Sequence, residues 1–220
     1  MIVDNKSASL EEKVFFTLEE EILSGELIKG NSLTEIALSK RLGVSRTPIR
    51  GALHRLAEDG LVEITPNRGA VVLGIDKEDL IDIYKVRNRL EGLASASAAM
   101  NISLDELSEL RESVELSEFY IKRGDTEKVK ELDTAFHQII YSASGNRQLE
   151  NILSELHRKI KTYRKLSLSV SGRVERSVSE HREILQAIEE RNAALADSLT
   201  SRHIERALEN VIFALDSEEK

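Results

Sequence analysis

Proline is confined to the first third of this 220-residue chain, where it occurs at Pro48 and Pro66. Because proline breaks helix interiors, the rest of the chain can form long uninterrupted helices. From residue 76 onward, apolar residues recur at helical spacing between short polar or glycine-containing breaks. The sequence therefore predicts an all-helical antiparallel bundle at 76–220, with six helices at residues 77–99, 103–123, 125–143, 146–169, 173–190 and 192–215.

Residues 1–75 follow a different pattern, and they are predicted to form a separate domain. Amphipathic spacing predicts helices at residues 10–24, 33–42 and about 45–59, with Ile36, Ala37 and Leu42 facing inward in the second. Two short β-rich runs, LVEIT (61–65) and AVVLG (70–74), then flank a Pro-Asn-Arg-Gly turn. This order of elements is a winged helix-turn-helix, so the fold class expected is mainly α with a small β-hairpin.

The distribution of charge fits a DNA-binding N-terminal domain better than the total does. The net charge is −8, yet residues 40–68 contain six basic and three acidic side chains. The chain has no cysteine, which excludes disulfides and thiolate metal sites. It also has no apolar run of about 20 residues, so we expect a cytoplasmic protein without membrane contact.

Arg46 and Arg50 are the residues best placed to read DNA. They lie one helical turn apart at the start of the third helix, on the face opposite Ile49 and Leu53. Arginine can pair with guanine O6 and N7 in the major groove. The alternative is that the two arginines only form a solvated helix face.

The segment VSRTPIRGALHRLAEDGLVEITPNRGAVV resembles the DNA-binding domain of the GntR family of bacterial regulators, and the resemblance covers residues 10–74. It implies a homodimer that binds an inverted-repeat DNA operator. The implied DNA contacts are Ser45, Arg46, Thr47, Arg50, Arg68 and Gly69. One departure is Gly51, where the family usually has glutamate; glycine in a helix costs up to about 1 kcal/mol relative to alanine.

Four residues of the second domain have the chemistry of a metal site. Asp133 and His137 are four residues apart on one predicted helix, and His181 and His203 lie on two others. A helical bundle can bring such residues around one ion, and this nitrogen and oxygen set suits Zn²⁺, Ni²⁺, Mn²⁺ or Fe²⁺. Taken singly, each histidine is more simply explained as an ordinary surface or core residue.

The segments DTAFHQIIYSASGN, SEHREILQAIEERNAALA and SRHIERAL resemble the FCD domain of the FadR-type branch of GntR regulators. The resemblance implies a metal-binding, VanR-like member whose ligands are Asp133, His137, His181 and His203. It also makes Arg87, in IYKVRNRLEGLA, a candidate for binding an effector carboxylate; a simple ion pair with Glu91 is the alternative. Arg158 and Arg164 are weaker candidates of the same kind, and His54 and His157 are expected not to be ligands.

Together these features predict a transcription repressor that a small organic acid releases from DNA by binding at the metal. One alternative is a metal sensor in which the ion itself is the signal. Another is a metal-dependent hydrolase, because a metal with open positions can activate water. The sequence shows no oxyanion-hole motif or phosphate-binding glycine loop, so we expect the protein not to be an enzyme.

Overall fold

The computed structural model describes residues 9–65, 69–170 and 172–218. The chain divides into two compact units, Met1–Asp76 and Lys77–Lys220. The predicted boundary, after residue 75, lies one residue earlier. Each unit has its own cluster of buried apolar side chains. The two units are therefore described separately.

The first unit has the elements of a winged helix-turn-helix, as predicted. Its helices are α1 (Leu10–Leu23), α2 (Glu35–Leu42) and α3 (Arg46–Glu58), and its strands are β1 (Ser32–Leu33), β2 (Val62–Thr65) and β3 (Gly69–Val72). The strands form an antiparallel sheet in the order β1-β3-β2. The hairpin of β2 and β3 was predicted, whereas the two-residue strand β1 was not.

Local signals set the helix ends of this unit. Ser9 and Glu12 form a reciprocal capping box at the start of α1, and the Thr34 side chain caps α2. The prediction for the buried face of α2 was wrong, because Ile36 and Ala37 are exposed and Leu38 points into the core. The helix begins two residues later than expected, after β1. Leu42, the third residue of the predicted face, is partly buried and packs against the core.

The second unit is entirely helical over its described residues. Its helices are α4 (Lys77–Asn101), α5 (Leu104–Arg123), α6 (Thr126–Ala143), α7 (Arg147–Lys159), α8 (Lys161–Ser169), α9 (Arg173–Glu189) and α10 (Ala193–Glu218). The single helix predicted at 146–169 is wrong, since the chain bends at Ile160, where φ is −100° and ψ is 11°. Ile160 is fully buried, so packing fixes this bend where no glycine or proline signals it.

The long helices α4 and α10 pack closely along each other. Asn88 donates a hydrogen bond to the Ser201 carbonyl, and Thr200 donates one to Ser95. A methyl group added at Gly92 would meet the Asp197 carboxylate at 2.1 Å. This close approach, with α6 and α9 alongside, brings polar residues of four helices together inside the bundle. Among the described helices, none is both long and apolar enough to cross a membrane.

Candidate functional sites

Arg46 and Arg50 extend from the outer face of α3. Their side chains are 59% and 60% exposed, while Ile49 and Leu53 on the opposite face are buried. Ser45 precedes the helix as its N-cap residue, and Ser45 and Thr47 are both exposed. The structure thus presents the arginine pair and its flanking hydroxyls on one accessible surface.

Glu35, at the start of α2, lies between the two arginines. Nε of Arg46 donates to Oε2 of Glu35 at 3.0 Å, while Nε and Nη2 of Arg50 donate to Oε1 and Oε2 at 2.7 and 3.0 Å. The hydrogen bonds from Arg50 and Arg46 lower the pKa of Glu35 to about 2. No local sequence pattern predicts a role for Glu35, because its partners lie 11 and 15 positions away.

An open groove of about 740 Å³ runs beside the arginine pair. It is bordered by α2, α3 and the ends of β2 and β3, and Ile36 projects beside it with 70% of its surface exposed. The lining residues are Thr34, Glu35, Ile36, Ala37, Lys40, Arg46, Arg50, Leu53, His54, Ile64, Thr65 and Gly69. The groove therefore combines cationic, hydroxyl and apolar groups, all of which can contact DNA.

Gly69 begins β3 with a φ of +91°. An added Cβ would lie 2.4 Å from the Leu33 carbonyl oxygen, which belongs to the backbone of β1 and cannot move aside easily. This position therefore requires glycine for a structural reason, whatever its part in DNA binding. Arg68, the other wing residue predicted to contact DNA, lies outside the described residues.

The second unit brings His137, His181 and His203 together from α6, α9 and α10. All three are buried, and one nitrogen from each lies within 4.8 Å of the others. Burial lowers the pKa of His181 well below its ordinary value and also lowers that of His203. Nε2 of His181 has no hydrogen-bond partner among the described residues. A buried set of three imidazoles with an orphaned nitrogen fits a divalent transition-metal ion.

Two of these histidines have a buried carboxylate behind them, and that of Glu180 is hydrogen-bonded to its ring. Oε2 of Glu91 lies 2.9 Å from Nδ1 of His137, and Oε2 of Glu180 lies 2.6 Å from Nδ1 of His203. These contacts leave the other ring nitrogen, Nε2, available for an ion. A carboxylate on the far nitrogen is the usual way in which proteins fix the tautomer of a metal-binding histidine.

Asp133 is the one predicted ligand that lies outside this group of three nitrogens. Its Oδ1 is 3.5 Å from Nε2 of His181, and its other oxygen accepts a hydrogen bond from Arg164. Burial would raise the pKa of Asp133, but Arg164 and the histidines hold it below its ordinary value. The carboxylate is thus ionised and beside the histidines, with Arg164 as its partner.

Arg87 is almost fully buried on α4, where it forms the ion pair with Glu91 that was the alternative to effector binding. Its Nη2 lies 2.5 Å from Oε1 of Glu91, which is the local ion pair. Its Nε and Nη1 make no hydrogen bond to the described residues, although the guanidinium lies over the Tyr84 ring at 4.8 Å. One part of the guanidinium is engaged, and the other retains unused donors.

The interior cavity at this cluster is small, with a volume of about 20 Å³. Arg87, Asp133, His137, Arg164 and His203 are among the residues that line it. A surface groove of about 410 Å³ shares Asp133, Arg164 and Leu168 with the cavity. The ion pair of Asp133 and Arg164 therefore lies at the boundary between the cavity and the groove.

His157 also joins this cluster, although the sequence analysis set it aside. Its Nδ1 is 3.2 Å from the Tyr141 hydroxyl, its ring centroid is 5.6 Å from that of His137, and its Nε2 has no hydrogen-bond partner among the described residues. Burial lowers its pKa well below the ordinary value. Glu180 and Arg173, which pair at 2.8 Å two turns apart on α9, were likewise not predicted to belong to the site.

Comparison with known families divides the chain at the same place as its fold. The model of the family described as "Bacterial regulatory proteins, gntR family" matches residues 10–72, and that of the FCD domain matches residues 82–206. The first match spans the winged helix-turn-helix, and the second contains all four predicted metal ligands. The two matches together cover most of both units.

Individual relatives match over nearly the whole chain. The chain is 31% identical over 201 residues to the transcriptional regulator YdhC of Bacillus subtilis, a match covering 90% of this chain and 89% of that one. It is 24% identical over 207 residues to the transcriptional repressor RspR of Escherichia coli, covering 94% and 91%. The solved structure of McbR/YncC from E. coli has the same fold, with a TM-score of 0.73 at 23% identity, covering 96% of this chain and 99% of that one.

Proposed function

Because this chain belongs to the GntR family of bacterial transcriptional regulators and contains an FCD domain, we propose that it is a repressor which a small organic acid releases from DNA. The family consists of regulators, so the protein is not an enzyme and the hydrolase alternative is set aside. The name of the relative RspR supports repression over activation. The observation that carries the effector half of the proposal is the buried cluster of three histidines beside Arg87.

The proposed DNA contacts are those of the exposed α3 surface. Arg46 and Arg50 would reach base edges in the major groove, with Ser45 and Thr47 beside them. Arg68 and Gly69 would contribute from the wing. A homodimer would place two such surfaces on the halves of an inverted repeat.

The proposed metal site consists of His137, His181 and His203, with Asp133 as the fourth ligand. A bound divalent ion would supply open coordination positions for a carboxylate oxygen. The burial of His181 and His203 supports this assignment, because it lowers the pKa of both rings and so favours the unprotonated form that binds a metal. Zn²⁺, Ni²⁺, Mn²⁺ and Fe²⁺ all suit this donor set.

The proposed effector is a small carboxylate that also pairs with the unused donors of Arg87. The 20 Å³ cavity accommodates an ion or a water but no organic acid, so an acid must enlarge it. Arg164 lies where the surface groove meets the cavity, and it would have to move as the acid passes. An acid that binds only the enlarged form shifts the protein between two states, which is what release from DNA requires.

The size of the cavity also favours a second candidate, in which the ion itself is the signal. A site that holds an ion without rearrangement needs no organic ligand. Under this alternative, removing the metal changes DNA affinity, whereas adding acids to the metal-loaded protein does not.

Binding measurements on the full-length protein test the proposal. The preferred duplex is first selected from a random library, and its affinity is measured for the wild type and for Arg46→Ala/Arg50→Ala. The double variant should lose selective binding. Selection that survives in this variant would contradict the assigned DNA surface.

The effector half is tested separately, with a panel of mono- and dicarboxylic acids added to the metal-loaded protein on DNA. At least one acid should lower DNA affinity tenfold or more, and His181→Ala should abolish that response. Glu183→Ala is the matched control, because Glu183 is exposed on the same helix as His181 and is not among the predicted ligands. If no acid acts while metal removal does, the metal-sensor alternative is correct.

A further inference from the structure

We infer that Glu35 is a positioning residue, which holds Arg46 and Arg50 in a fixed pair so that they discriminate between base sequences. The inference rests on the proposed DNA contacts of the two arginines. It adds a role for an acidic residue on a surface that binds a polyanion. Its basis is the way in which one carboxylate engages both guanidinium groups.

The carboxylate occupies the same edge of each guanidinium. Arg50 uses Nε and Nη2 on the two oxygens of Glu35, and Arg46 uses Nε and Nη2 on Oε2, at 3.0 and 2.9 Å. In both cases Nη1 and the outer N–H of Nη2 remain available. Guanine O6 and N7 can accept hydrogen bonds from that outer edge. Each arginine can therefore contact Glu35 and a base at the same time. The contact to Glu35 orients the guanidinium group for the base.

This arrangement reduces the freedom of two long side chains before they meet DNA. An unsupported exposed arginine samples many rotamers, and fixing it on a base costs conformational entropy. Glu35 itself is well held, because its side chain is only 19% exposed and the Thr34 hydroxyl caps the first turn of α2 at the Ala37 N–H. The carboxylate is thus a fixed anchor for two otherwise mobile cations.

The same carboxylate must weaken contacts that do not depend on sequence. Two guanidiniums and one carboxylate carry a net charge of +1 rather than +2, which reduces attraction to the phosphate backbone. Non-specific binding depends mainly on such charge, whereas selective binding depends on oriented donors. Glu35 should therefore increase the ratio of selective to non-selective affinity by acting on both terms.

The test compares the wild type with Glu35→Gln, which is nearly the same size but uncharged, and with Glu35→Asp, which keeps the charge on a shorter side chain. The full-length proteins bind the selected duplex and a scrambled duplex of equal length at several salt concentrations. For Glu35→Gln we expect the affinity ratio of the two duplexes to fall about tenfold or more, with unchanged or tighter binding to the scrambled duplex. Glu35→Asp keeps the negative charge, so its binding to the scrambled duplex should stay as weak as that of the wild type. Because its side chain is shorter, it should retain only part of the selectivity.

Glu21→Gln is the matched control, because Glu21 pairs with Arg41 at 2.6 Å in the same unit, away from the arginine pair. It should change the binding of both duplexes by the same factor. A ratio for Glu35→Gln within twofold of wild type would overturn the inference, as would a gain on the selected duplex that equals the gain on the scrambled one. Failure of the proposed function is distinguishable, since it would appear as selective binding in Arg46→Ala/Arg50→Ala.

Discussion

Nδ1 of His203 lies 2.6 Å from Oε2 of Glu180, and both groups are buried. Glu180 also pairs with Arg173 at 2.8 Å and Arg206 at 3.0 Å, so two cations hold the carboxylate in place. Burial would raise the pKa of Glu180, but His203 and Arg173 lower it to about 2. The ionised carboxylate fixes the ring of His203, so that Nε2 is the nitrogen available for an ion.

Glu180→Gln should therefore weaken metal binding without removing a ligand. Loss of such an orienting carboxylate typically costs 10- to 100-fold in metal affinity, because the tautomer and ring angle are no longer fixed. Competition with a chelator of known affinity measures the change for Zn²⁺ or Ni²⁺. Glu183→Gln, a change at an exposed carboxylate on the same helix, should have no effect. Equal metal affinity of Glu180→Gln and wild type would show that the contact does not serve a metal site.

Removing one partner of the ion pair between Arg87 and Glu91 should destabilise the protein more than removing both. Both side chains are 1% exposed, so removing one partner leaves a buried charge without compensation. We expect Arg87→Met to lower the free energy of unfolding by about 3–5 kcal/mol. Arg87→Met/Glu91→Leu should recover much of that loss, although His137 then loses its carboxylate neighbour. Urea unfolding of both variants measures the difference; identical losses would contradict pairwise compensation.

Two glycines of the first unit should respond in opposite directions to substitution by alanine. At Gly51, an added Cβ meets only the carboxylate end of Glu11, which can swing away. Gly51→Ala should therefore raise stability by up to about 1 kcal/mol through helix propensity. Gly69→Ala should lower stability, because its φ is +91° and the Cβ meets a backbone carbonyl. Thermal unfolding of the two variants measures both shifts, and a stabilising Gly69→Ala would contradict the geometry of β3.

The elements that the sequence predicted correctly are those with local signals. The winged helix-turn-helix follows from helical periodicity and from the turn between the two β-rich runs. The contacts that surround the candidate sites depend instead on distant partners. Glu35 lies 15 positions from Arg50, Glu180 lies 23 positions from His203, and Arg164 lies 31 positions from Asp133. The bend at Ile160 could not be predicted either, because tertiary packing rather than a helix-breaking residue produces it.

The pH dependence of stability should report the buried, neutral state of the histidines. Burial lowers the pKa values of His157, His181 and His203 in the folded protein, so the unfolded chain binds protons near pH 6.5 that the folded protein does not bind. Their contribution is fully present above pH 6.5 and is lost as the pH falls towards the lowered values. Each such proton gives a slope of about 1.4 kcal/mol per pH unit.

Urea unfolding of the metal-free protein between pH 8 and pH 5 measures this slope. We expect the free energy of unfolding to fall below pH 6.5, and His157→Gln should make the fall shallower because it removes one of the titrating rings. Stability that is flat or rises as the pH falls through this range would mean that the rings accept protons in the folded state. The interior cluster would then be a charged network rather than a set of free imidazole donors.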